Sequence, residues 1–304
     1  MKVLVFGSAN IDRTYSVDHV VVGGETISSA SLTEFCGGKG FNQAVAFSRA
    51  GCEVFFAGAI GPDGDLLENT LKANKVNTDY LKHVDAPTGH AIIQVTSDGT
   101  NSIIISAGAN GMITHEDVDS VLSAFSKGDL VVLQNEISSV DYIIDKANEL
   151  GLNIALNPSP FDRRIESCDL NAVDFLMVNE IEGAAISGES EPEKILQCIH
   201  QKYQNMNIVL TLGECGSCFM GSNGIATKCS IYHSKAVDTT AAGDTFTGYF
   251  LSEMIISKNV EKALKTAAVA SGISVSRNGA STSIPYRNEV LEVEDTIAVE
   301  DFPM

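Results

Sequence analysis

Four short apolar runs separated by helical patterns occupy the second half of the chain, and they constrain its fold more than any other feature. The runs lie at residues 129–134, 152–156, 174–178 and 206–211. Buried strands that alternate with helices are typical of a parallel sheet covered by helices. Two long helical patterns, at about 242–257 and 260–276, follow this region. The sequence therefore predicts an α/β fold in which a mostly parallel central sheet is sandwiched by helices.

Two β-rich stretches interrupt this rhythm in the first half of the chain. They cover about residues 13–35 and 80–107. Because an isolated two-stranded ribbon is marginally stable, we expect the two stretches to meet as one small β-sheet that forms a lid. The lid would belong to a single domain spanning residues 1–304, and a homodimer through two lids would stabilise it further. The acidic end of the chain, from Glu292 to Met304, is expected to be frayed.

The charge balance argues against two classes of partner. The 304 residues carry a formal net charge of −19, and such a surface repels nucleic-acid phosphates and anionic membranes. No run of about 18 apolar residues could span a bilayer. The first ten residues also lack the basic start, long apolar stretch and cleavage site of a secretory signal. We therefore expect a cytoplasmic protein that binds neither nucleic acid nor membrane.

Seven cysteines are scattered along the chain, and their odd number does not suggest a disulfide framework. Cys215 and Cys218 form one C-x-x-C pair, which could be a redox or metal half-site. No second pair of this kind completes a ligand set. We favour the alternative, in which the two residues flank a tight turn at Gly216.

The segment Val237-Asp238-Thr239-Thr240-Ala241-Ala242-Gly243-Asp244-Thr245-Phe246 is the strongest candidate for chemistry. Small residues open a helical pattern here, so an anion could approach the free N–H groups of the helix start. An aspartate in such a place makes sense if Asp244 accepts a proton from an attacking hydroxyl. The alternative is structural: Asp238 and Thr239 would cap a helix, and Asp244 would be an ordinary acid of its first turn.

A second segment, Cys36-Gly37-Gly38-Lys39-Gly40-Phe41-Asn42-Gln43-Ala44, places three glycines and one lysine directly before a helical pattern. Such a loop can wrap closely around a ligand, or it can be a plain glycine-rich turn between a strand and a helix. The chain contains neither a Walker P-loop nor the G-x-G-x-x-G of dinucleotide sites.

Taken together, the two segments resemble the signature motifs of the PfkB family of ribokinase-like carbohydrate kinases, in the family's order. The resemblance extends from Gly7 to Pro285. It implies a parallel sheet between helices, a β lid, and ATP-dependent transfer of the γ-phosphoryl group to a sugar hydroxyl. It also implies that Asp244 is the catalytic base and that the transferring group is held by an anion hole of Ala241, Ala242 and Gly243.

The resemblance extends to ligand-binding residues elsewhere in the chain. It implies that the sugar is bound by Asn10, Asp12, Gly38, Lys39, Asn42 and Glu136. It implies that ATP is bound by Asn179, Thr211, Gly213 and Gly216. It also implies that Glu182 lies near Mg²⁺ and binds it through waters, in the manner that this ion favours. A K⁺ site would be formed by Asp238, Thr240, Ser274, Arg277, Gly279 and Ser283.

Several details are typical of family members that phosphorylate ribose. These are the pairing of Asn10 with Asp12, the presence of Glu136, the sequence Ala-Ala-Gly-Asp at 241–244, and the stretch 101–110. Few basic residues accompany the sugar-binding segments, which favours a neutral sugar over a sugar phosphate. D-ribose, yielding ribose 5-phosphate, is the expected substrate, and deoxyribose, fructose or a nucleoside remains an alternative. A sensor of sugar or nucleotide without catalysis is disfavoured, because it would not need both Asp244 and the anion hole.

Overall fold

A computed structural model describes residues 1–293 and 297–302. The strands, in chain order, are β1 Val3–Phe6, β2 Asn10–Ser16, β3 Ser31–Gly37, β4 Val54–Ile60, β5 Asn77–His83, β6 Gly89–Val95, β7 Asn101–Ser106, β8 Leu130–Gln134, β9 Asn153–Asn157, β10 Phe175–Asn179, β11 Asn207–Thr211, β12 Ser217–Met220, β13 Ala226–Cys229 and β14 Val299–Asp301. The α-helices are α1 Lys39–Arg49, α2 Asp65–Ala73, α3 His115–Leu122, α4 Val140–Leu150, α5 Glu180–Ser187, α6 Pro192–Lys202, α7 Ala242–Ser257, α8 Val260–Val275 and α9 Arg287–Leu291.

Ten strands form one large sheet in the order β14-β13-β12-β11-β10-β9-β8-β1-β4-β5. Neighbouring strands from β11 to β5 run parallel, whereas β12, β13 and β14 add an antiparallel edge. All four residues of β1 are buried, as expected for a parallel strand covered on both faces. The predicted α/β fold with a mostly parallel sheet between helices is thus confirmed.

Helices cover both faces of the large sheet, and each face has its own hydrophobic core. On one face, Phe41 and Phe47 of α1 pack with Tyr249 and Phe250 of α7. On the other face, buried residues of α3, α4 and α6 form one cluster with alternate positions of the strands, among them β1, β8 and β11. Alternate residues of a strand point to opposite faces, so every central strand contributes to both cores.

Four strands form the separate small sheet, in the order β3-β2-β6-β7. Strand β2 pairs antiparallel with β3 and parallel with β6, and β6 forms a hairpin with β7. The expected meeting of two distant β-rich stretches is therefore found. However, the part of the second stretch at 80–84 was assigned wrongly to the lid. Those residues belong largely to β5, because the α2 crossover from β4 returns the chain to the large sheet.

The acidic end of the chain also differs from expectation. Residues 299–301 form β14, which extends the antiparallel edge by pairing with β13. The expectation of a frayed end is wrong for these residues, because they gain main-chain partners in the sheet. The same expectation for residues 294–296 and 303–304 lies outside the described residues. Within the described ranges, no helix has both the length and the hydropathy needed to cross a bilayer.

Candidate active site

The start of α7 is open toward the carboxyl edge of the large sheet. Ala241 is its N-cap residue and supplies no side-chain hydrogen bond to the helix. At Gly243, a Cβ atom would meet no other described atom within 4 Å. The carboxylate of Asp238 accepts hydrogen bonds from Thr240 and Gly279 instead of capping α7. The interpretation of Asp238 and Thr239 as helix caps is therefore wrong, and the helix start is free for an anion.

Asp244 lies in the first turn of α7, with 6% of its surface exposed. Its Oδ2 accepts a hydrogen bond from Asn42 Nδ2 at 3.0 Å, and its Oδ1 accepts one from Gln43 Nε2 at 3.0 Å. Burial raises the pKa of Asp244, while the nearby ammonium group of Lys39 and the two amide donors oppose that rise. Burial is the largest of these effects, so the pKa of Asp244 is raised overall, and the positive charge and hydrogen bonds limit that rise.

Lys39 is the cation of this site. Burial alone would lower the pKa of its ammonium group, but the carboxylates of Asp244, Glu136 and Glu182 outweigh burial and raise that pKa. Lys39 therefore remains protonated beside three acids. Such a charge can neutralise an anionic group that enters among them.

The glycine-rich loop before α1 lies directly against the loop after β1. Gly38 has a φ of 91°, and a Cβ atom there would lie 2.9 Å from the carbonyl oxygen of Ser8. Both facts require glycine at this position. The backbone N–H of Phe41 also donates to the Ser8 carbonyl at 2.8 Å. The loop is thus packed closely against a neighbouring loop, as the glycine content predicts.

Three acids surround the region between these loops. Glu136 Oε2 accepts hydrogen bonds from the Ser8 hydroxyl and, at 3.0 Å, from the backbone N–H of Lys39. Burial, together with the negative charges of Glu136 and Asp244, raises the pKa of Asp12 to about 7. Asp12 therefore exchanges its proton near neutral pH, and it can donate or accept a hydrogen bond to a polyol.

Asn10 is held by a residue to which sequence reasoning gave no role. Asn110 donates from Nδ2 to Asn10 Oδ1 at 2.7 Å and accepts from the backbone N–H of Ala9 at 3.1 Å. Because the Oδ1 of Asn10 is engaged, its Nδ2 is the group left to face a ligand. Asn10 also pairs with Gly37 in the small sheet, beside Gly38.

A cleft runs from Asp244 along the carboxyl ends of β9, β10 and β11. Its wall includes Lys39, Asn157, Asn179, Glu182, Thr211, Thr240 and Gly243. Glu182 and Asn179 make a reciprocal capping box at the start of α5, with hydrogen bonds of 2.9 and 3.1 Å. Asn179 therefore caps α5 and also lies on the cleft wall. Gly213 and Gly216 lie further along, in the turn between β11 and β12.

The residues expected around K⁺ come from two segments that contact each other. Asp238 accepts from the backbone N–H of Gly279 at 2.9 Å, and it also accepts from Thr240. The hydroxyls of Ser274 and Ser283 lie 2.8 Å apart. The side chain of Arg277 points elsewhere and forms an ion pair with Glu289. Only the backbone of Arg277 therefore remains available to this site.

The cysteine pair has the structure expected of a turn. Cys215 is exposed before Gly216, whereas Cys218 is buried in β12. In the part of the chain that the structure describes, no three His, Cys, Asp or Glu side chains group as metal ligands.

Sequence reasoning gave no role to several polar residues of this region. They are Ser8, Gln43, Asn110, Gln134 and Asn157. Gln134 and Asn157 are the last residues of β8 and β9. Their place in the sequence could have indicated a role at the site, because a polar residue at the end of an apolar strand lies at the edge where open α/β sheets bind ligands.

Comparison with known proteins agrees with this geometry. The profile described as pfkB family carbohydrate kinase matches residues 1–287. Ribokinase of Haemophilus influenzae is 33% identical over 298 residues, covering 95% of this chain and 96% of that protein. Deoxyribokinase of Salmonella typhi is 31% identical over 295 residues, covering 94% and 96%. The structure of Arabidopsis thaliana ribokinase complexed with ribose and ATP superposes with a TM-score of 0.84 and 31% identity, covering 96% and 98%. The chain therefore belongs to the pfkB family of carbohydrate kinases.

Proposed function

We propose that this protein transfers the γ-phosphoryl group of ATP to a hydroxyl of D-ribose, producing ribose 5-phosphate and ADP. The observation that carries the proposal is the buried Asp244 carboxylate, which is held by two amides at an open helix start beside Lys39. The similarity to ribokinases, one of them complexed with ribose and ATP, supports the choice of substrates.

In the proposed reaction, Asp244 accepts the proton of the sugar hydroxyl. The sugar oxygen forms a bond to the γ-phosphorus while the bond between that phosphorus and the β–γ bridging oxygen breaks, and ADP leaves. The anion hole of Ala241, Ala242 and Gly243 would stabilise the charge on the transferring group. In this structure the N–H of Ala242 donates to the Thr239 carbonyl at 3.2 Å, so it would have to exchange that partner for the anion. Catalysis of this kind depends on positioning and charge neutralisation, which the fixed carboxylate and Lys39 provide.

The sugar would occupy the region between the two loops. Asn10 would donate from Nδ2, and Asp12 and Glu136 would pair with hydroxyls. Gly38 and Lys39 would contribute from the glycine-rich loop. The Nδ2 of Asn42, expected to donate to the sugar, donates to Asp244 in this structure, so we assign Asn42 first to that carboxylate.

The site also fits a magnesium ion bound with ATP. Glu182 lies on the cleft wall with 5% of its surface exposed, and only one of its two oxygens is engaged in the capping box. Mg²⁺ is commonly held by one or two carboxylates, waters and substrate phosphates. When bound, it would neutralise phosphate charge. Asn179 and Thr211 would line the phosphate path, and Gly213 and Gly216 would lie under the nucleotide.

A monovalent cation fits the junction of the two segments behind the start of α7. Asp238 and Thr240 contact each other, as do Ser274 and Ser283, and Gly279 N–H donates to Asp238; these side chains would offer a carboxylate and three hydroxyls, and the backbone carbonyls of Arg277 and Gly279 would complete the site. K⁺ bound there would add positive charge behind the anion hole, without contact with the sugar.

We further propose a homodimer through the small sheet. Ile103, Ile104 and Ile105 of β7 are 52%, 61% and 59% exposed, and β7 is an edge strand. Three consecutive exposed isoleucines on an open edge are an aggregation hazard unless another chain covers them.

Because ATP is the phosphoryl donor, we retain the expectation of a cytoplasmic enzyme.

Deoxyribose is the principal alternative substrate, because a deoxyribokinase is nearly as similar as the ribokinases. The decisive experiment measures ADP release with ribose, deoxyribose, fructose, adenosine and inosine, with Mg²⁺, with and without K⁺. Turnover that is fastest with ribose and rises with K⁺ would support the substrate and the cation site. Faster turnover with another acceptor would reassign the pocket, and no turnover with any of them would contradict kinase activity.

A further inference from the structure

Behind Asp244, three buried or half-buried amide side chains form a continuous series of hydrogen bonds. Asn157 Nδ2 donates to the backbone carbonyl of Met177 at 2.8 Å. Gln43 Nε2 donates to Asn157 Oδ1 at 3.2 Å and to Asp244 Oδ1 at 3.0 Å. Gln134 Nε2 donates to Gln43 Oε1 at 2.7 Å. The series connects β8, β9 and β10 with the reacting carboxylate.

The direction of this series is set by its far end. A backbone carbonyl can only accept, so the Nδ2 of Asn157 must face Met177 and its Oδ1 must face Gln43. Gln43 then has to present Nε2 to Asn157, and the same group reaches Asp244. Both N–H groups of Gln43 are thereby used, and its Oε1 is left to accept from Gln134. Independent contacts therefore place a donor, and not an acceptor, against Asp244.

Packing alone does not explain why a glutamine occupies position 134. The side chain is fully buried, and its Oε1 has no hydrogen-bond partner among the described residues. A Cβ atom at Gly7 would overlap this oxygen. A buried amide with an unpaired oxygen is unfavourable for folding, so an apolar residue of similar shape would be the more stabilising choice. The hydrogen bond that the Gln134 amide does make is the one to Gln43 Oε1.

We propose that Asn157 and Gln134 are positioning residues, which act through Gln43 to keep an N–H donor on Asp244 so that this base stays ionised within the protein. The inference rests on the proposed function, because it assumes that Asp244 is the base. Lys39 of α1, Glu136 after β8 and Asp12 of β2 also face this carboxylate. Glu182 of α5 faces Lys39 and helps to raise the pKa of its ammonium group.

The test uses neutral substitutions, since a new charge would itself move the titration. In Gln134→Met, the midpoint of the Asp244 titration, followed by carboxyl ¹³C NMR and assigned by its loss in Asp244→Asn, should rise by about half a unit to one unit. The acid limb of kcat should move with it, and kcat should fall roughly tenfold. Leu133→Met introduces the same residue at the neighbouring position of β8, on the opposite face of the sheet, and should move neither quantity.

A double-mutant cycle distinguishes positioning from packing. If Gln134 acts through Gln43, Gln134→Met should have no further effect on the midpoint in a Gln43→Met background. An equal shift in both backgrounds, or no shift at all, would overturn the proposal. If Gln134→Met does not fold, Asn157→Leu on the cleft wall can replace it in the same experiment. The midpoint should again rise, and it should not rise further in the Gln43→Met background. The NMR titration needs no turnover, so it separates a failure of this inference from a failure of the proposed function.

Discussion

The side-chain amide of Asn42 donates to the carboxylate of Asp244 at 3.0 Å, although the two residues are 202 positions apart in the chain. Asn42 lies near the start of α1, within the glycine-rich signature segment, and Asp244 lies in the first turn of α7. The contact brings the two signature segments into one site. It also leaves the second carboxylate oxygen to Gln43, so both oxygens of Asp244 are fixed before any ligand binds.

Asp244→Asn should abolish most of the activity while leaving the sugar pocket intact. The substitution keeps the size of the side chain but removes the group that accepts the hydroxyl proton, so we expect turnover to fall by about 10²-fold or more. Sugar affinity, measured by calorimetry, should change little. Near-normal turnover would contradict the assignment of Asp244 as the base.

Much of the fold could be predicted because its signals are local. The apolar strands and the helices α7 and α8 were placed to within a few residues by periodicity alone. Strand β5 was assigned to the wrong sheet, since the pairing partner of a strand depends on the crossover that precedes it and not on its own residues. Strand β14 was not predicted, because its three residues, of which two are acidic, have no pattern typical of a strand. They form one only by pairing with the edge strand β13.

The site was predictable only in part, for a related reason. The motifs predicted that Asp244, Lys39 and Glu136 belong to the site. The amides that orient them were not found, because a hydrogen bond between residues about a hundred positions apart, such as Asn110 with Asn10, leaves no spacing in the sequence. Polar residues of this kind become recognisable only when the fold has brought the strand ends together.

Asp12→Asn should change how stability depends on pH. The pKa of Asp12 is about 7 in the folded protein and near 3.8 in an unfolded chain, so the folded state binds more protons between these values. Stability contributed by this group is therefore greatest at low pH and is lost as the pH rises from about 4 to 7. The Asp12→Asn variant has no carboxyl group at this position, so it does not lose stability in this way as the pH rises. Its urea midpoint relative to the wild type should increase between pH 5 and pH 8, and a difference independent of pH would contradict the raised pKa.

Asn110→Leu should weaken sugar binding selectively. Without Asn110, the amide of Asn10 loses the donor that fixes its orientation, and it no longer presents a preset N–H group to the sugar. We expect the KM for the sugar to rise about tenfold, equivalent to roughly 1.4 kcal/mol, which is typical of one net hydrogen bond. Steady-state kinetics should show an unchanged KM for ATP in the same variant. Equal loss of affinity for both substrates would indicate general disruption of the site.

Ile104→Lys should dissociate the proposed dimer without loss of the folded monomer. Ile104 lies at the centre of the exposed isoleucines of β7 and faces Ile92 across the hairpin. A lysine on an edge strand opposes pairing with another chain because its ammonium group would have to lose water. Light scattering should give half the wild-type mass for this variant. Ile225→Lys, at an equally exposed position in the turn between β12 and β13, is the matched control and should remain dimeric. A wild-type protein that is already monomeric, or an Ile104→Lys variant that keeps the dimer mass, would contradict assembly through the lid.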